Sequence, residues 1–212
     1  MRKFIRFCFY HFYHSFAWTY DFVADAVSVG RWRDWGRAAL PHVRGPRVLE
    51  IGFGPGHLQV ELSRLGFHPF GLDESRQMTR RAQSNLRRNG FPSSLSRGYA
   101  QSLPYASASL DCVLSTFPTE YIVDPRTTSE LLRVLKPGGR LVVLPAAGLG
   151  RANLLERIAS WLFRITGQAA EVAPWLEARY TQVFSQAGFV VQNTRAEIRQ
   201  STVLIILAEK PA

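Results

Sequence analysis

Cysteine is almost missing from this 212-residue chain: Cys8 and Cys112 are its only two. That excludes a disulfide scaffold and a four-thiolate zinc site, and makes a reducing compartment the expected one. Long apolar runs are missing as well. The longest, Val203 to Ala208, has six residues, against the roughly 20 needed to span a bilayer as a helix. Arg6, His11 and His14 break up the N-terminal segment, so no apolar core of a signal peptide is expected there. Lysine is scarce, with 3 against 23 arginines, and acids are outnumbered 16 to 26, leaving a net charge of +10. Such a balance suits an anionic partner, nucleic acid or a lipid surface, without choosing between them. Hydrophobic residues at 46% and charged residues at 20% exclude disorder and leave material for a real core.

What is present is unevenly placed. Ten of the 26 aromatics fall in the first 22 residues, and Ile5, Phe9, Phe12, Phe16, Tyr20 and Val23 recur at helical spacing. Residues 1–46 therefore read as an N-terminal helical extension, with a second helix over Arg31 to His42 and Pro46 as the joint. From Arg47 onward, short apolar runs alternate with polar helical stretches, the pattern of an α/β sheet. Strands are expected at Val48–Ile51, Pro69–Leu72, Leu95–Gly98, Asp111–Ser115, Arg140–Pro145, Phe189–Ala196 and Thr202–Glu209. Helices fit at His57–Leu65, Ser75–Asn89, Pro125–Leu135, Arg151–Ile165 and Pro174–Ala187. The last two strands are joined through Arg199 to Ser201, too short for a crossover, and must pair antiparallel.

The stretch Val48-Leu49-Glu50-Ile51-Gly52-Phe53-Gly54-Pro55-Gly56-His57-Leu58 is an apolar strand running through three glycines into a helix. Glycine lets the chain turn sharply and lets a ligand approach the backbone, and the helix start offers free N–H groups, so a nucleotide-derived cofactor is implied. The spacing is G-x-G-x-G rather than the dinucleotide G-x-G-x-x-G, with an acid two positions before the first glycine. This resembles the first motif of class I S-adenosylmethionine (SAM) methyltransferases, of the quinone- and phospholipid-methylating kind. Further elements agree in order: Gly71-Leu72-Asp73-Glu74-Ser75; Gly98-Tyr99-Ala100-Gln101-Ser102-Leu103-Pro104-Tyr105 against G-D-A-x-x-L-P-F; Leu110-Asp111-Cys112-Val113-Leu114; and Arg133-Val134-Leu135-Lys136-Pro137-Gly138-Gly139.

The resemblance implies a Rossmann-like α/β fold: a seven-stranded, mostly parallel sheet of order 3-2-1-4-5-7-6, the last strand antiparallel, with helices on both faces and an N-terminal helical lid. Residues 47–212 would form the SAM domain, with a helical insertion over 146–187. It assigns SAM, with S-adenosylhomocysteine (SAH) as product, to Glu50, Gly52, Gly54, Gly56, Asp73, Glu74, Met78, Ala100, Gln101 and Ser115. Asp73 would accept from the ribose hydroxyls, and Met78 would pack on adenine. An Asp73 that merely caps the next helix, and a Met78 that is plain core, are the competing readings. The family's adenine-contacting Asp falls at Tyr99, leaving Gln101, a backbone carbonyl or water to meet the adenine amine.

Methyl transfer needs alignment and dryness more than a catalytic group, so no catalytic residue is assigned. Candidates are Tyr20 over the cofactor, Glu120 and Tyr121 after the fourth strand, and His14 or His11 on the lid. No metal is expected. The acceptor is expected to be small and hydrophobic: a lipid, quinone precursor or aromatic metabolite. The apolar face of residues 154–165 and the +5 charge of residues 1–47 allow peripheral contact with an anionic membrane. The reading places the chain in the cytoplasm or at the inner membrane surface. RNA or DNA methylation is disfavoured because Thr116–Thr119 does not match an N-P-P-Y tetrad, but the arginines of Arg76–Arg97 keep it open. A non-catalytic SAM- or partner-binding protein is the third alternative.

Overall fold

A computed structural model describes residues 31–149 and 174–212. The expected N-terminal amphipathic helix and the helix over Arg151–Ile165 lie outside these residues. Seven strands form one sheet: β1 (Arg47–Ile51), β2 (His68–Asp73), β3 (Leu95–Arg97), β4 (Leu110–Thr116), β5 (Leu135–Leu149), β6 (Val190–Ile198) and β7 (Ser201–Glu209). Their order is 3-2-1-4-5-7-6, and only β7 runs against its neighbours. The helices are α1 (Trp32–Arg37), α2 (His57–Arg64), α3 (Arg76–Arg88), α4 (Pro125–Val134) and α5 (Pro174–Gln186).

The central strands are apolar in consecutive positions because both faces are covered. On one face Val48, Cys112, Leu114 and Val142 pack with Trp35 of α1 and Leu58 and Leu62 of α2. On the other, Leu49, Val113 and Leu141 meet Leu131 of α4 and Phe184 of α5. Helix α3 packs beside α2, where Gly56 lies against Ala82. All the parallel strands then end at one edge, where open α/β sheets bind ligands.

Two local expectations are corrected. The single helix over Arg31–His42 is α1 followed by a 3₁₀ turn at Leu40–His42, in which Pro41 supplies no N–H. Lys136–Gly139, left outside the strand expected at Arg140–Pro145, lies within β5, because Gly138 donates to the carbonyl of Lys210 and Lys210 donates back to that of Gly139, at 2.9 Å each. The register between β5 and β7 slips at Val143/Ala146, a bulge that accommodates Pro145. The β6–β7 hairpin turns on Arg199 (φ 44°) and Gln200 (φ 65°), both left-handed as a type I′ turn requires.

Candidate active site

The three glycines between β1 and α2 do different work. A side chain on Gly52 would meet the Tyr121 hydroxyl at 2.8 Å, and one on Gly56 would meet Cβ of Ala82 at 2.7 Å. Gly54 (φ +51°) is the exception: nothing lies within 4 Å of where its Cβ would stand. The first and third glycines are thus fixed by the protein's own packing, whereas the second leaves a bare backbone facing open space. That is the fit expected of a turn approached by a ligand.

Asp73, at the end of β2, reaches this turn. Its Oδ2 accepts from the N–H of Gly54 at 3.0 Å and its Oδ1 from that of Ser75 at 2.8 Å. Capping of α3 falls instead to Ser75, whose Oγ accepts from the N–H of Met78 at 3.3 Å. Each Asp73 oxygen therefore keeps acceptor capacity for a diol, in a half-buried position. Burial pushes its carboxyl up, opposed by those two backbone bonds. Glu74 is exposed, and its carbonyl accepts from Arg97.

Glu50 is buried (2% exposed), with Gln59 Nε2 donating to its Oε2 at 2.7 Å. Desolvation pushes its carboxyl up to about 8, so it holds its proton at neutral pH until a cation comes near. Beside it, Ser115 Oγ donates to the carbonyl of Ile51 at 3.0 Å and lies 3.1 Å from the Tyr121 hydroxyl. Burial raises the Tyr121 phenol well above its ordinary value. Tyr121 is thereby suited to donating a hydrogen bond and to bracing Gly52, not to taking a proton. Glu120 is exposed at the start of the 3₁₀ turn Glu120–Val123, which also carries Tyr121.

Met78 and Ala100 are buried, while Tyr99 is 66% exposed. Gln101 Nε2 donates to Asp124 Oδ2 at 3.3 Å. His57 is half-buried with Nδ1 3.3 Å from the Asn85 amide, which α3 brings over the start of α2. Tyr20, His11 and His14 lie outside the described residues. Among the described residues no group of three or more metal-ligating side chains forms.

The sequence reading missed Phe117. It sits just past β4 with φ +50°, a conformation a bulky side chain adopts only under constraint, and such strain gathers at functional edges. Its ring lies 4.3 Å from that of Trp32 and 6.2 Å from that of Trp35. Together Trp32 and Phe117 wall a cavity of about 310 Å³ that opens at Gly52 and Gly54 and has Glu50 in its lining. Arg33, Arg37 and Arg64 stand around it, and Glu61 bridges the last two at 2.7 and 3.2 Å. Asp73 and Met78 are not among its walls. The lining is thus mixed, an aromatic pair on one side and charged or amide side chains, Asn85 and Asn89 among them, on the other.

Comparison with known proteins bears on the family and the fold. Residues 49–143 match the family described as "Methyltransferase domain". Over this stretch, a little under half of its length, the chain resembles the class I SAM-dependent methyltransferases. It is 33% identical over 141 residues to the ubiquinone/menaquinone biosynthesis C-methyltransferase UbiE of Yersinia enterocolitica, covering 62% of this chain and 56% of that protein. The UbiE of Klebsiella pneumoniae strain 342 is 32% identical over 143 residues, covering 63% and 57%. The chain thus spans little more than half the length of these curated relatives. Among solved structures, a SAM-dependent methyltransferase of Methanosarcina mazei aligns with a TM-score of 0.58 and 22% identity, over 81% of this chain and 96% of that one. A Haemonchus contortus phosphoethanolamine N-methyltransferase, solved with phosphomonomethylethanolamine and SAH, aligns with a TM-score of 0.61 and 18% identity, over 86% and 54%. These two share the fold. For a methyltransferase, Gly52, Gly54, Asp73 and Glu50 are the residues that would hold SAM.

Proposed function

We propose that this chain is a SAM-dependent methyltransferase acting on a small hydrophobic acceptor that carries a planar ring, of the quinone-precursor kind. The observation that carries the reading is the cavity walled by Trp32 and Phe117, which adjoins the glycine turn. The similarity to ubiquinone/menaquinone biosynthesis C-methyltransferases points the same way. SAM, when bound, supplies a methyl group on a sulfonium, open to in-line attack.

The chain's own residues align and dry the site. Gly54 leaves room against the backbone, and Asp73 offers its spare lone pairs to a diol. Glu50 gives up its proton when an ammonium approaches, which places a carboxylate opposite that charge. Trp32 and Phe117 exclude water from the attacking ring and hold it flat. A ring acceptor of this kind partitions into lipid, which supports peripheral work at the inner membrane surface.

Transfer of labelled methyl from SAM into a lipid and metabolite extract tests the proposal. Label is expected in a product that partitions into organic solvent. Label confined to nucleic acid would overturn it in favour of base methylation. That second reading has one observation behind it: Arg76, Arg80, Arg87 and Arg88 of α3 are exposed and make no ion pair among the described residues.

A further inference from the structure

The cavity beside the glycine turn has a basic side facing its aromatic one. Arg33 and Arg37 lie one turn apart on α1, Arg64 ends α2, and all three stand in the lining. Two acids share that lining. Glu50 keeps its proton at neutral pH or, once ionised, is matched by the cofactor's ammonium. Glu61 accepts from Arg37 at 2.7 Å and from Arg64 at 3.2 Å. Asp34, outside the lining, is divided between Arg37 and Arg199 at 3.3 and 3.2 Å. Arg33 is exposed and forms no ion pair among the described residues.

The basic side is also held in place. Arg64 Nη2 donates to Asn89 Oδ1 at 2.6 Å, Asn89 Nδ2 donates to Asn85 Oδ1 at 3.2 Å, and the Asn85 amide lies 3.3 Å from His57 Nδ1. Glu61 fixes Arg37 and Arg64 relative to each other, and both keep unused N–H donors, since a guanidinium has five. With one ionised acid against three arginines, the lining carries an excess of two positive charges. A fixed excess of that sign beside an aromatic wall suits a ring that bears an anion better than a neutral one. The cofactor's own carboxylate shares a carbon with its ammonium and stays near Glu50 and the glycine turn, where α2 begins. Arg64 is at the other end of this eight-residue helix, about 10 Å away along its axis. Resting on the ring-acceptor reading above, we propose that the acceptor carries an ionised substituent of the carboxylate type, which Arg33 binds beside the braced Arg37 and Arg64.

Titrating the full chain at low salt with 2-naphthoate and with the isosteric, neutral 2-naphthamide, each with and without saturating SAH, tests the proposal. The wild type is expected to bind the acid about tenfold or more tightly than the amide, the worth of one charge-assisted hydrogen bond. Arg33→Gln should lose most of that preference while binding the amide as before. Its Tm should stay close to that of the wild type, because the fold loses no ion pair. Equal affinities in the wild type, or a preference that survives intact in Arg33→Gln, overturn the assignment. Competition between 2-naphthoate and SAH, in place of joint binding, also overturns it, by giving the arginines to the cofactor's carboxylate. Failure of both naphthalenes to bind would instead defeat the ring-acceptor reading itself, and this proposal with it.

Discussion

Replacing Glu50 with glutamine should make the protein more stable and a worse binder at once. The carboxyl is 2% exposed and has one hydrogen bond, from Gln59, which a glutamine oxygen accepts equally well. Its folded-state value of about 8 stands above the ordinary 4.5. A group raised in this way favours the fold fully below pH about 4.5, and that contribution is lost as pH rises through 8. At pH 7 the folded chain keeps a proton that the unfolded chain has released. At ~1.4 kcal/mol per unit over about 2.5 units, this costs about 3 kcal/mol. The neutral Glu50→Gln variant escapes it, and its Tm at pH 7 should rise by about 6 to 12 °C for a chain of this size. At pH 4.5 the two proteins should melt together. Differential scanning calorimetry of both across pH 4.5 to 8 reads this directly. The same substitution removes the carboxylate that would face the ammonium of SAM or SAH, so SAH affinity should fall about tenfold or more. Wild-type binding between pH 6 and 8 should release a proton, visible as a dependence of binding heat on buffer. A variant that melts at the wild-type temperature at pH 7, or binds SAH as well as the wild type, would refute the reasoning.

Further expectations concern the turn and its neighbours. Asp73→Ala should weaken SAH binding by about 1 to 3 kcal/mol and also lower Tm, since Gly54 and Ser75 lose their acceptor; a fall in Tm with unchanged affinity would leave Asp73 a structural residue only. Gly54→Ala and Gly56→Ala should separate binding from folding. The first should fold at a cost of about 1 kcal/mol for its left-handed backbone yet lose SAH, because its methyl fills open space. The second should lose about 2 kcal/mol or more, because its methyl collides with Ala82; equal melting temperatures would contradict the distinction. Phe117→Gly should relieve the strained backbone while destroying the aromatic wall, so methyl transfer to a ring acceptor should fall with little change in SAH affinity. If duplex DNA or RNA binds at all, its affinity should be weak and should fall steeply with salt in proportion to the α3 arginines.

Much of the sheet was legible because its signals are local. The glycine turn, the acid closing β2 and the apolar runs of β1, β4 and β7 each announce themselves within ten residues. The strand order was legible through family resemblance, and the reversal of β7 through the short link at Arg199–Ser201. What escaped depends on partners distant in sequence. Lys136–Gly139 counts as strand because of Lys210, on the far side of the sheet's last crossing. Phe117 is held left-handed by its N–H bond to the carbonyl of Leu144 and by the Trp32 ring, neither of which leaves a mark in the local pattern. Asp73 and Ser75 are both good capping residues, and only the geometry separates the one that caps from the one that faces the turn. Likewise, nothing in Gln101 by itself says which end of its amide is free; that is set by Asp124, 23 positions away.

The central claim, that the bend between β1 and α2 holds a sulfonium nucleoside with its sugar at Asp73, is tested most directly by titrating the full chain with SAH and, separately, with NADH. One equivalent of SAH should bind, and NADH, with its diphosphate, should not. Binding of NADH with no heat from SAH would contradict the account.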